Sequence, residues 1–146
     1  MKYSQVKNLV NFVTSELNAD YDHAEMSKLS NIDNDFEAFG ARFIATSAID
    51  KIQQDELESD LYILGCFNGP FLACILDIDQ DVIEAMQDAE AFEAVGKLII
   101  SLGKLEELQA DYARYDGYGH HFNNYDGGEL ELTINGVDYL VFDLHD

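Results

Sequence analysis

Glu129-Leu-Glu-Leu-Thr-Ile134 alternates polar and apolar residues, and Asn135-Gly136 follows it directly. Alternation of period two marks a half-buried strand, and Asn-Gly is the strongest two-residue hairpin signal. Folding about that turn pairs Ile134 with Val137, Leu132 with Tyr139 and Leu130 with Val141 on one face. A lone hairpin is marginal in water, so this face requires cover from the rest of the chain. The other face mixes Glu129, Glu131, Thr133 and Asp138 with Leu140 and Phe142. Those two apolar residues need a helix, another strand or a second subunit over them. Beside a free strand edge, they predict a homodimer interface, with two-fold symmetry as the default.

The residues before the hairpin read mostly as helices. Ser4 caps a first helix carrying Val6, Leu9, Val10, Val13 and Leu17 at i, i+3, i+4 spacing. Asn18 to Asp22 reads as a turn, and Ala24 to Ile32 as a weaker helical segment. Asn34 or Asp35 then caps a stronger helix with Phe36, Phe39, Phe43, Ile44, Ile49 and Ile52 on its apolar stripe. Ser59 or Asp60 opens a short helix that Asn68-Gly69 ends, and Pro70 sits where a first helical residue belongs. Asp79 caps a helix through Val82, Ile83 and Met86, continuing toward Phe92 and Val95. Leu98 to Tyr112 reads as a last helix bent at Gly103. Asp116 to Gly128, rich in Gly, Asn, Asp and His, reads as a loop. The expected fold class is α+β. A mostly helical single domain over 1–146 has five to seven helices in 1–114, a loop over 115–128 and a C-terminal antiparallel β-hairpin over 129–144.

Length and composition agree with one folded domain. The chain has 146 residues, 47% of them hydrophobic, with nine Phe and eight Tyr, which sets it apart from disordered acidic chains. Eight Lys and Arg stand against 29 Asp and Glu, a formal charge of −21. That sign excludes binding nucleic acid through a basic face, and excludes an anionic membrane surface. Lys7, Asn8, Asn11 and Glu16 break up any signal-peptide core, and no apolar run is long enough to span a membrane. Cys66 and Cys74 stand among apolar neighbours and read as buried, reduced thiols. The expected location is the cytoplasm.

The acids are unevenly placed. From Ile52 to Gly96 there is no Lys or Arg, but there are eleven carboxylates: Asp55, Glu56, Glu58, Asp60, Asp77, Asp79, Asp81, Glu84, Asp88, Glu90 and Glu93. Asp77, Asp81, Glu84 and Asp88 follow spacings of four, three and four, which would align them on one face of one helix. Like charges so placed repel by a few tenths of a kcal/mol per pair, so local stability does not call for them. They serve either as a solvated face or as a row imitating nucleic-acid phosphates. Imitation requires clustering. A 16.4 kDa globule exposes roughly 7,500 Å², about one of its 21 charges per 360 Å², against about one per 110 Å² on duplex DNA.

Other candidate sites are weaker. Asp77-Ile-Asp79-Gln-Asp81 resembles part of an EF-hand loop, but Val82 replaces the turn glycine and Asp88 the bidentate Glu, so a capping cluster is the better reading. Pro70 to Ala91 has the length of a helix-turn-helix, yet its second helix carries Asp81, Glu84 and Asp88 and no cation. His120 and His121, amid Asp116-Gly-Tyr-Gly and Phe-Asn-Asn-Tyr-Asp126, could serve a metal-dependent enzyme. However, no Cys or third His lies at ligand spacing, and His23 and His145 are remote. The better reading is a structured loop in which tyrosines pack and histidines hydrogen-bond. No nucleophile motif or phosphate-binding glycine loop is present, so no enzyme, cofactor or metal is expected.

A small, tryptophan-free, strongly acidic α+β chain without a catalytic motif resembles the phage and mobile-element proteins that disable host defence. These are the anti-CRISPR and antirestriction proteins, many of them DNA mimics. The resemblance is one of composition and layout over the whole chain; Gly65-Cys-Phe-Asn68 and Asp116-Gly-Tyr-Gly119 are also similar to stretches of uncharacterised phage proteins. It implies a basic nucleic-acid-binding target, a type I Cascade-like surveillance complex or a restriction enzyme. The protein would block target DNA in the host bacterial cytoplasm without binding nucleic acid or membrane itself. The alternative is a non-enzymatic acidic protein–protein adaptor of a prophage or bacterium.

Overall fold

The computed structural model describes Phe12, residues 33–124 and residues 126–144. The helices expected at Ser4–Leu17 and Ala24–Ile32, with the turn between them, lie outside the described residues. What is described forms two compact units, each with its own core. Residues 33–49 and 116–144 belong to a sheet unit, and residues 50–115 form a helical unit.

The sheet unit contains β1 (Asp35–Ala38), β2 (Ala41–Ala45), β3 (Leu130–Ile134) and β4 (Val137–Asp143), ordered β1-β2-β4-β3 with every neighbouring pair antiparallel. The C-terminal hairpin has the register its alternation predicts: Ile134 faces Val137, Leu132 faces Tyr139 and Leu130 faces Val141. Asn135 and Gly136 both take positive φ, 52° and 81°, as a two-residue turn of matching twist requires. One face of the sheet carries Ala38, Phe43, Ala45, Ile134, Tyr139 and Val141 into a single buried cluster.

The strong helix expected from Asn34 to Ile52 is a β-hairpin followed by a new helix. Asp35-Phe36-Glu37-Ala38 alternates with period two, and Phe39-Gly40 turns the chain with φ of 56° and 70°. Phe36 then stacks on Phe43 across the strands, with ring centroids 4.8 Å apart. Arg42 grips Asp35 through two hydrogen bonds of 2.8 and 2.7 Å. Apolar residues at 36, 39, 43 and 44 fit a helical stripe as well as a strand. Pairing of β2 with β4, about a hundred residues away, selects the strand. Gly40 is a turn residue, not a helix-packing one.

The helical unit runs α1 (Ile49–Glu58), α2 (Leu61–Gly65), α3 (Gly69–Leu76), α4 (Gln80–Asp88), α5 (Phe92–Ser101) and α6 (Leu105–Asp116), with α1 beginning and α6 ending one residue beyond it. Side-chain caps set three of the six helix starts. Asp60 caps α2, Asn68 caps α3 by accepting from the Phe71 amide at 2.8 Å, and Asp79 caps α4. Two expected continuations are broken. Glu90, at φ 58°, separates α4 from α5, and Gly103, at φ 68°, separates α5 from α6.

Leu64, Leu72, Ile83, Val95, Ile99 and Leu108 are fully buried in its core. α2 and α5 meet along their backbones, because a Cβ on Gly65 would stand 1.9 Å from the Phe92 carbonyl oxygen and one on Gly96 2.2 Å from that of Leu61. Gln109 ties α6 to α1, donating to Asp50 and to Gln53, both at 2.9 Å.

The expected loop over 115–128 holds a further short helix, α7 (Gly119–Phe122), in the sheet unit.

Candidate partner-binding surface

The eleven carboxylates between Ile52 and Gly96 all lie in the helical unit, and all are exposed except Glu56 and Glu84, which are half-buried. They do not form one helical row. Asp77 is the C-cap of α3, whereas Asp81, Glu84 and Asp88 belong to α4, so the single face expected for the four is interrupted after Asp77. The EF-hand-like stretch is likewise a capping arrangement, in which Asp79 accepts from the Asp81 amide at 2.8 Å.

Several acids have local structural work. Asp60 accepts from the Ile63 amide at 3.2 Å, and Asp81 and Glu93 occupy first turns, where the helix dipole favours negative charge. Asp55 pairs with Lys51 at 2.8 Å, and this hydrogen bond and charge raise the lysine pKa further from neutrality. Glu84 accepts from Gln80 at 3.0 Å and lies over Gly69.

Four others stand where the fold does not favour them. Glu58 ends α1, Asp88 ends α4, Asp77 caps the C-terminus of α3, and Glu90 follows that of α4. A helix C-terminus favours cations, and a negative charge there costs about 0.3–1 kcal/mol. Asp77 and Glu90 also take left-handed φ values of 54° and 58°, at the kind of position glycine usually fills. α1 to α5 have no basic residue in their last turns, and α2, α3 and α4 have none at all. Of the other cations in the unit, Lys104 pairs with Glu107 of α6 and Arg114 with Asp111 of its own helix, while Lys97 stands exposed on α5. Negative charge thus gathers at the ends of α1, α3 and α4 with no basic residue in their last turns.

The expected dimer residues are placed differently. Leu140 is 8% exposed and Phe142 fully buried, because β4 is an interior strand paired with β2 as well as β3. The Phe122 ring packs on Phe142 with centroids 5.1 Å apart, and Arg42 lies 5.0 Å from the Phe122 centroid. A dimer through Leu140 and Phe142 has no exposed surface to use.

His120 and His121 lie side by side on α7, the first exposed and the second half-buried against the edge of Phe122. Among the described residues, no three His, Cys, Asp or Glu side chains are grouped to hold a metal ion. A cleft of about 210 Å³ in the sheet unit is lined by Thr46, Glu131, Leu132, Thr133, Asp138 and Tyr139 and includes neither histidine. In the stretch expected to pack, Phe122 is buried and Tyr125 lies outside the described residues, while Tyr115, just before it, is 70% exposed with the Arg114 guanidinium over its ring.

The two cysteines depart from expectation as well, since both are exposed. Sequence reading also missed Tyr62 and Ile63, about half exposed on α2. A helix apolar all round reads as core, and only its position in the fold says otherwise. No helix among the described residues is long and apolar enough to cross a membrane. No protein-family model, curated protein or solved structure matches this chain.

Proposed function

We propose that this protein is a non-enzymatic inhibitor that binds a basic, DNA-handling complex through its acidic helical unit and keeps target DNA out. Supporting this is the placement of Glu58, Asp77, Asp88 and Glu90 at helix C-terminal ends, two of them in left-handed caps. Solubility needs negative charge somewhere on the surface, but it does not need charge at the positions where the helices least favour it. A groove lined with Lys and Arg for phosphates supplies a reason. The resemblance to anti-CRISPR and antirestriction proteins specifies a type I Cascade-like complex, with a restriction enzyme as the other target of this chemistry.

The test is displacement of a labelled target duplex from a purified type I surveillance complex. The parent is expected to displace DNA. The variant Glu58→Gln, Asp77→Gly, Asp88→Asn, Glu90→Gly is expected to lose at least tenfold in potency while melting several degrees higher, since each left-handed cap relieved returns about 1 kcal/mol. Equal potency, or a loss of potency together with a lower melting temperature, would remove the support that these residues give.

A second reading, an adaptor using ordinary apolar contact, is favoured by one observation: Tyr62 and Ile63 are exposed side by side. In that case the charge variant binds its partner like the parent.

A further inference from the structure

From Leu61 to Phe67 the chain reads Leu-Tyr-Ile-Leu-Gly-Cys-Phe, so α2 is apolar on every side. Such a helix belongs in an interior, yet the unit covers only half of it. Leu64 is fully buried, Gly65 abuts the Phe92 backbone, and Leu61 meets Gly96. On the opposite side Tyr62 and Ile63 are 50% and 49% exposed, and Cys66 is exposed. Helical geometry groups these three, because Cys66 lies four residues from Tyr62 and three from Ile63. Tyr62 is also held in place, with its ring edge-on to Phe92 at 5.1 Å between centroids. Acids border the chain around it: Glu58 and Asp60 lead into α2, and Glu93 follows Phe92. No Lys or Arg occurs from Ile52 to Gly96.

We propose that Tyr62, Ile63 and Cys66 form the apolar centre of the partner-binding surface, and that the occupant is a basic amphipathic protein segment. Its aliphatic side chains would cover the patch, while its Arg or Lys side chains reach the bordering carboxylates and the Tyr62 ring. Charge argues for a basic occupant over a second copy of this chain, because self-pairing would set Glu58, Asp60 and Glu93 against their own counterparts. The surface depends on the inhibitor function proposed for the chain and narrows it to one face of the helical unit.

The two thiols provide the measurement. Cys66 sits in the patch, and Cys74, exposed on α3, serves as the reference. The probe is a designed helical peptide with Leu along one face and Arg on both flanks. Controls carry Glu in place of Arg, or Ser in place of Leu. With the full chain, the Leu/Arg peptide is expected to slow maleimide labelling of Cys66 at least fivefold and leave Cys74 unchanged, and neither control should do so. Tyr62→Ser with Ile63→Ser is expected to weaken binding of the Leu/Arg peptide at least tenfold while the chain still melts cooperatively, a few degrees lower for loss of the Tyr62–Phe92 ring contact. Protection of Cys66 by the Ser control would show that acids alone bind, and protection by raising the chain's own concentration would show a second copy as occupant. Either result, or no protection, overturns the surface. The duplex-displacement assay separates the two levels. If the parent fails to displace DNA while the peptide still protects Cys66, the surface stands and the target falls. If the Tyr62/Ile63 variant displaces DNA like the parent, the target stands and the surface falls.

Discussion

At the residue scale, Glu129 shows how a surplus of carboxylates acts on the fold. It precedes β3, and a Cβ added to Gly117 would stand 3.3 Å from its Oε1. Partial burial, and then the charge of Glu131, hold its carboxyl above the ordinary glutamate value of 4.5. The fold therefore binds this proton more tightly than the unfolded chain does. That contribution is fully present below 4.5 and is lost as pH rises through the raised folded value. Glu129→Gln is expected to raise the melting temperature at pH 7 and to leave it nearly unchanged at about pH 3, where the parent carboxyl is already neutral. Thermal melts at the two pH values measure this, and an equal gain at both would assign the effect to something other than charge.

At the element scale, the two hairpins use the same turn geometry with different side chains. Asn135-Gly136 and Phe39-Gly40 both place two successive residues at positive φ. Asn tolerates that conformation; Phe does not favour it, and Phe39 is held there with its ring 7% exposed in the sheet core. Gly136→Ala and Gly40→Ala are each expected to cost about 1–2 kcal/mol through the left-handed penalty. Phe39→Asn relieves the turn by about the same amount but removes a buried ring. Truncating such a ring typically costs about 3–5 kcal/mol, so the variant should be net destabilised. Denaturant midpoints decide the order. A stabilised Phe39→Asn variant would mean that the turn, rather than the core, governs this hairpin.

For the whole molecule, the relevant quantity is charge per area. Spread evenly, the chain falls about threefold short of the density on duplex DNA. Within the helical unit the stretch from Ile52 to Gly96 departs from even spreading, with eleven carboxylates and no Lys or Arg, and Lys51, Lys104 and Arg114 outside it each pair with a nearby acid. An interaction made through such a surface is screened as the Debye length falls from about 10 Å at 0.1 M salt to about 3 Å at 1 M. Displacement potency is expected to fall at least tenfold between 0.1 and 0.5 M NaCl. A change under threefold would favour an interface held by apolar contact without the carboxylates, and with it the adaptor reading.

The sequence alone determined what depends on neighbouring residues. The Asn-Gly turn and strict alternation determined the hairpin and its register, and Asp60, Asn68, Pro70 and Asp79 determined where helices begin. The α+β class and the location of the acidic run were legible for the same reason. Tertiary structure decided what depends on distant partners. Residues 35–45 carry an apolar pattern that suits a helix or a strand, and pairing with β4 makes them strands, which in turn buries Leu140 and Phe142. Whether an apolar helix is core or surface is likewise set by what packs on it. Leu64 therefore lies in the interior while Tyr62, Ile63 and Cys66 face solvent. The carboxylates could be counted in the sequence, but which of them cap helices and which oppose the helix dipoles followed only from where each helix stops.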